Sequence, residues 1–214
     1  MADKSLERRH ILRPPKQKST SALFLDRDGV LIEDVHYLSD PEKVRILPGV
    51  NSLLGLALAR RWGVVIITNQ SGISRCLFDW KAYDAVTERM LANLKYPEAI
   101  DAIYANGYGP NQQEEPWRKP NPGMIVDSAL ELGIDLAKSV LIGDRLSDLK
   151  AGMNANVKTL VHVRTGHGDN ERSEVIKMRI SVSQSTKNQR PHIYTIDDLT
   201  DFPVIILPML SSQA

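Results

Sequence analysis

Asp26 and Asp28 stand one residue apart at the end of the apolar run Ala22-Leu23-Phe24-Leu25, and Gly29 follows at once. A close pair of carboxylates can hold a hard cation, attack an electrophile, or give and take a proton. If the strand continued through them, their side chains would share one side. A pair of turn or capping aspartates is the plainer alternative, so the pair needs company. It finds it in Lys119, set on a stiff turn before Pro120 and Pro122, and in Asp144, which closes the run Val140-Leu141-Ile142-Gly143 and precedes Asp148. Four acids brought together would repel strongly. A divalent cation resolves that, and Mg²⁺ suits hard oxygen donors where no cluster of His or Cys is present.

These residues are useful only if the chain brings them together. Residues 22–26, 64–68, 101–105, 140–144 and 157–163 read as short strands, mostly aliphatic or β-branched, and their nearly continuous apolar character predicts burial on both faces. Helical spacing lies between them: Val50, Leu53, Leu54 and Ala57; Tyr83, Val86, Met90 and Leu94; Ile125, Ala129 and Leu132, stopped by Gly133. Alternating strands and helices predict an α/β fold, a Rossmann-like parallel sheet flanked by helices with right-handed crossovers. Ligands of such sheets bind outside the carboxyl ends of the strands. That edge gathers Asp26-Arg27-Asp28-Gly29, the segment Thr68-Asn69-Gln70-Ser71, and Asp144-Arg145.

The chain has 214 residues, 27 Lys and Arg against 26 Asp and Glu, and 42% hydrophobic residues, enough for one domain with a sizeable core. A net charge of +1 does not predict a nucleic-acid partner, and no apolar stretch predicts a membrane span or secretory signal. The single cysteine, Cys76, leaves no intrachain disulfide framework and fits the reducing cytoplasm. Residues 1–20 read as a flexible leader and 21–214 as a single domain. The polar stretch after Arg164 reads as a flexible loop returning to an edge strand near Ile193 to Ile196.

Taken in order, Asp26 to Val30 as DxDG(V/T), Thr68, Lys119, and Gly143 to Asp148 as GDxxxD resemble the haloacid dehalogenase (HAD) superfamily of phosphohydrolases, over roughly residues 21–166. The stretches FLDRDGV, TNQSGISR, RKPNPGM and IGDRLSD are similar to the branch holding heptose-1,7-bisphosphate and histidinol-phosphate phosphatases. The resemblance implies an Asp26 nucleophile that forms an aspartyl-phosphate, and Asp28 as general acid and base. It implies Mg²⁺ held by Asp26, the backbone carbonyl of Asp28 and Asp144, with Asp148 at or just behind the ion. Thr68, Asn69 and Lys119 would hold the phosphoryl group, and Arg118 and Arg145 the rest of the substrate. Arg75, Arg164 and His36 are weaker candidates, and His162, His167 and His192 show no ligand spacing. The segments between Asp28 and Pro48 and between Thr68 and Asp101 leave no room for a large cap domain. Relatives in that branch commonly carry a zinc loop of cysteines and a histidine before the Arg-Lys-Pro; here NGYGPNQQEEPW has neither, so no zinc is expected.

The function implied is a Mg²⁺-dependent phosphomonoesterase for a small phosphorylated metabolite, foremost a sugar phosphate such as a heptose bisphosphate. Its alternatives are a histidinol-phosphate-type phosphatase, a phosphotransferase, and a non-catalytic phosphate-binding scaffold on the same fold. No nucleic-acid or membrane partner is expected, and the assembly is expected to be a monomer or small homo-oligomer.

Overall fold

The computed structural model describes residues 6–14, 21–184 and 190–207. Seven strands form one sheet: β1 (Glu7–Ile11), β2 (Ala22–Leu25), β3 (Gly63–Asn69), β4 (Ala102–Asn106), β5 (Val140–Gly143), β6 (Thr159–His162) and β7 (His192–Thr195). Their spatial order is β1-β4-β3-β2-β5-β6-β7, with every neighbouring pair parallel except β1 with β4. The chain therefore runs outward one way from β2 through β3 to β4, then returns to the other side of β2 for β5, β6 and β7. That reversal opens a crevice at the carboxyl ends of β2 and its neighbours.

Five α-helices cover the sheet: α1 (Val50–Ala59), α2 (Trp80–Asn93), α3 (Gly123–Leu132), α4 (Leu146–Asn154) and α5 (Gly168–Gln184). Successive strand residues feed opposite faces, as the two-residue period of a strand requires. Leu23, Leu25, Val64, Ile66 and Ile142 pack with Leu53 of α1 and Val86 of α2. Phe24, Val65, Ile67 and Leu141 pack with Ile125 of α3, Leu149 of α4 and Val175 of α5. The central strands are buried on both sides, which is why they read as apolar runs without alternation. Among the described residues no helix is long and apolar enough to cross a membrane.

Two expectations change. The expected leader includes β1, whose charged sequence ERRHI pairs antiparallel with β4 at the sheet edge. Arg8 is tied to Asp84 of α2, and Arg9 lies 3.0 Å from Glu131 of α3. Such charge is usual on an edge strand, where it hides the strand from a search for apolar alternation. Residues 1–5 and 15–20 of that leader lie outside the described residues. The polar stretch after Arg164 contains α5 rather than a loop before it reaches β7. Its apolar stripe is thin: Val175 is buried with partial help from Met178 and Val182, while Ile176 and Ile180 face outward. Strong helix formers on a weakly amphipathic surface gave little periodicity to read.

Candidate active site

Each acid leaves the end of a central strand. Asp26 follows β2, and its backbone N–H donates to the carbonyl of Ile142 on β5 at 3.1 Å. Asp144 follows β5, and Asp148 stands in the first turn of α4. Between the acids sits Lys119, only 3% exposed. Its Nζ donates to Asp26 Oδ1 at 2.9 Å and to the Ile67 carbonyl at 2.9 Å, and pairs with Asp148 Oδ1 at 2.6 Å. Lys119 comes from the segment between β4 and α3. Asn69, the last residue of β3, pins it there: the Asn69 side chain accepts from the Lys119 N–H at 3.2 Å and donates to the Lys119 carbonyl at 3.1 Å.

Carboxylate oxygens of Asp26, Asp144 and Asp148 lie within 4.8 Å of one another, all three residues buried. Burial first, then the charges of Asp148 and Asp26, push the Asp144 carboxyl up to about 9. Burial likewise raises Asp26 to about 7; Lys119 opposes the rise, and Asp148 and Asp28 add to it. Although burial would lower the Lys119 ammonium, Asp148 and Asp26 hold it above its usual value. One lysine does not offset three buried acids. Asp144 Oδ1 is also buried without a hydrogen-bond partner. An oxygen-lined, electron-rich pocket with an unpartnered carboxylate oxygen fits Mg²⁺, which would take up Asp144 Oδ1 and relieve the repulsion.

Asp144 is enclosed by two residues with left-handed backbone, Gly29 (φ 85°) and Gly166 (φ 60°). A Cβ on either would come within 2.5 Å or 2.3 Å of Asp144 Oδ2, so neither position admits a side chain. The turn between β6 and α5 completes the enclosure. Thr165 Oγ1 donates to the Gly29 carbonyl at 2.5 Å, and the His167 backbone N–H donates to Asp144 Oδ2 at 2.7 Å. The His167 ring pairs with Asp34 at 2.8 Å. Behind Asp144, buried His162 bonds the Asp144 carbonyl through Nε2 at 2.9 Å; burial, with Arg172 nearby, lowers its imidazole to about 4, so the neutral ring donates. Neither histidine has ligand spacing in the sequence. Both support an acid through hydrogen bonding, which spacing does not record.

Asp28 is built differently. Its strand ends at Leu25, and the chain turns where the N–H groups of Leu31 and Ile32 both reach the Arg27 carbonyl. The Asp28 carboxylate therefore stands apart from the three acids, against Arg27 and Gln70. Gln70 Nε2 also donates to Thr68 Oγ1 at 2.8 Å, linking the residue after β3 to the loop after β2. Sequence reasoning placed Arg27 and Gln70 in the segments at the strand ends but gave neither a role. The available clue was an arginine placed between two acids at the end of a buried strand.

These residues open onto a cleft of about 680 Å³ that also holds His36, Arg118 and Arg145 along its walls. Half-buried Arg118 donates to the Tyr108 carbonyl at 2.8 Å, and burial and the charge of Arg145 both lower its guanidinium from the usual value. Two cations on one wall, close enough that Arg145 disfavours the charge of Arg118, make that wall attractive to an anion. The segment before Lys119 is tied by its own polar groups: Asn121 Nδ2 donates to the carbonyls of Gln113 and Glu115 at 2.6 and 2.9 Å, and Trp117 Nε1 donates to Asp127 at 2.6 Å. Arg75 stacks on Tyr37 and bonds its hydroxyl, and Arg164 pairs with Asp169 and Asp197; neither lines the cleft.

Comparison with known proteins agrees with this geometry. Residues 116–202 match the HAD-hydrolase-like family model, which takes in Lys119, Asp144 and Asp148. The chain is 42% identical over 145 residues to a D-glycero-beta-D-manno-heptose-1,7-bisphosphate 7-phosphatase of Mesorhizobium japonicum, covering 64% of this chain and 66% of that one. It is 36% identical over 160 residues to the Photorhabdus laumondii protein of the same name, covering 72% and 85%. The crystal structure of D,D-heptose 1,7-bisphosphate phosphatase from B. bronchiseptica, complexed with magnesium and phosphate, superposes with a TM-score of 0.69 at 28% identity, over 91% of this chain and 100% of that one.

Proposed function

The chain belongs to the HAD-like hydrolases, and on that premise we infer that it is a Mg²⁺-dependent sugar-phosphate phosphatase whose substrate is a heptose 1,7-bisphosphate. The observation that carries this reading is the convergence of Asp26, Asp144 and Asp148 around buried Lys119, with Asp28 held separately beside them. Asp26 attacks phosphorus, its oxygen forming the new P–O bond as the bond to the sugar oxygen breaks. Asp28 gives its proton to that leaving oxygen. In the second half Asp28 takes a proton from water, whose oxygen attacks the aspartyl-phosphate, so that phosphate leaves and Asp26 is regenerated.

Lys119 and the Thr68–Asn69 segment face the phosphoryl oxygens, where negative charge must be stabilised in the transition state. Asp26, the Asp28 carbonyl and Asp144 would hold Mg²⁺, which would supply positive charge against the phosphoryl group and allow these acids to be ionised together. The segment ahead of Arg118 offers no thiolate or imidazole, so zinc has no part in this reading.

Arg118 and Arg145 are the residues we assign to the second phosphate of the substrate. The same pair disfavours the amine of a histidinol phosphate. On this reading the protein works in the cytoplasm as a monomer or small homo-oligomer, without nucleic-acid or membrane partners.

Phosphate release from a panel of phosphorylated sugars, amino alcohols and nucleotides, with Mg²⁺ and after exhaustive chelation, tests the whole reading. Metal-dependent turnover with preference for a sugar bisphosphate is expected. Undiminished turnover without a divalent ion would overturn the mechanism, and preference for an amino alcohol phosphate would overturn the substrate.

A further inference from the structure

Arg27 has no part in the chemistry outlined above, yet it is among the largest fully buried side chains, 1% exposed. A buried guanidinium is costly unless its donors are met. Here they are met by the Asp28 carboxylate: Nε donates to Oδ2 at 3.1 Å and Nη2 to Oδ1 at 3.1 Å, a two-pronged grip. On the side away from Asp28 the guanidinium carbon lies 5.0 Å from the centre of the Tyr83 ring, and Nη1 is 3.5 Å from Thr87 Oγ1. Both partners belong to α2, so the fork is braced by a helix. Gln70 Nε2 adds a donor to Asp28 Oδ2 at 2.8 Å. Oδ2 is thus committed twice, whereas among the described residues Oδ1 accepts a hydrogen bond from Arg27 alone.

We propose that Arg27 is a positioning residue: braced on Tyr83 and Thr87, it holds the Asp28 carboxylate in one orientation and leaves Oδ1 as the oxygen that carries the proton to and from the reaction. Gln70 fixes the other oxygen and ties it to Thr68. Orientation of an acid within about half an ångström of its working place is a condition of efficient proton transfer, and a short carboxylate in an open cleft would otherwise turn freely about its own bond. An aromatic brace and a bidentate fork together remove that freedom. Lysine, with a compact charge and no fork, cannot do the same.

The inference rests on Asp28 acting as general acid, and its test separates the two. Arg27→Met, Arg27→Lys and Asp28→Asn are assayed with Mg²⁺ on p-nitrophenyl phosphate, whose leaving oxygen needs little help from an acid, and on an alkyl sugar phosphate, whose leaving oxygen needs a proton. Both Arg27 variants are expected to lose about 10²-fold or more in kcat/KM, which reports the first transfer alone, on the sugar phosphate but less than about tenfold on the aryl ester, as loss of general acid catalysis requires; hydrolysis of the shared aspartyl-phosphate, which Asp28 also assists, slows kcat on both. Arg27→Met combined with Asp28→Asn should lose no more than Asp28→Asn alone, because both act on one proton transfer. Equal losses in kcat/KM on the two esters, or losses that multiply in the double variant, would overturn the proposal. If Arg27→Met does not fold, Arg27→Lys and Gln70→Met decide by the same contrast. If Asp28→Asn itself shows no dependence on the leaving group, the acid role of Asp28 fails, and the positioning role fails with it.

Discussion

The floor and the rim of the cleft are assembled on opposite principles. On the floor, Asp26, Lys119, Asp144 and Asp148 are nearly sealed from solvent; the three acids lie within two residues of a strand end or a helix start, and Lys119 is pinned by Asn69 at the end of β3. On the rim, Arg145 is exposed at the start of α4 and Arg118 is half-buried on the segment before α3. The floor concentrates like charge in a medium that makes every interaction strong, whereas rim charges are softened by water. A chain can afford that crowding only where something binds there. Under the proposed function, the difference assigns the reaction to the floor and the choice of what is brought to it to the rim.

The sharpest way to break this division is at the nucleophile. Asp26→Asn preserves the shape of the side chain and removes the attacking oxygen's charge, so turnover of every phosphate ester should fall on the order of 10⁴-fold or more, the scale expected when one member of a catalytic constellation is lost. Circular dichroism should show a folded protein. Measurable turnover within tenfold of the parent would mean that Asp26 is not the attacking group.

Lys119→Ala comes next. In the proposed mechanism the ammonium faces charge that develops during transfer, so kcat should fall about 10²–10³-fold with aryl and sugar phosphates alike. A loss confined to the sugar phosphate would move Lys119 from the floor to the rim. Arg118→Ala should do the reverse and raise KM for a sugar bisphosphate about tenfold while leaving p-nitrophenyl phosphate almost unchanged, in keeping with one partly solvated hydrogen-bonded charge. If Arg118→Ala lowered kcat equally for both with KM unchanged, the rim would be part of the chemistry.

The same division explains what the sequence reveals. Asp26, Lys119 and Asp144 are legible because floor residues must follow apolar strands or stiff turns, and strands buried on both faces are conspicuous. The sheet was readable for the same reason, from Ala22 to His162. Less visible were the supports: Arg27 under Asp28, the turn from Thr165 to His167 around Asp144, and Asn69 pinning Lys119. The turn and Asn69 act through hydrogen bonds across 23 to 136 positions of sequence, which no local pattern encodes, and Arg27, though next to Asp28, depends on a brace from α2 some 60 positions away. Strand β1 escaped because edge strands carry charge, and α5 because only a narrow stripe of it touches the core.

The smallest effect, and the one that isolates the floor without any catalysis, is the pH dependence of stability in metal-free protein. In the folded chain Asp26 is pushed up to about 7 and Asp144 to about 9, both from an ordinary value near 3.8, with burial the largest cause in each case. Raised values mean that the folded state keeps protons the unfolded state has released, so stability is fully present below about pH 4 and is lost as pH rises through 7 towards 9. These two acids should therefore lower the melting temperature of chelated protein by a few degrees or more between pH 5.5 and 8.5. Magnesium binds the ionised carboxylates and should restore more stability at pH 8.5 than at 5.5. Asp144→Asn removes one of the raised acids and should flatten the slope, whereas Arg118→Ala, which changes only the rim, should leave it as it was. A melting temperature that changes across this window with the same slope in parent protein and in Asp144→Asn would show that Asp144 is already ionised without metal, and that the floor does not store the repulsion described here.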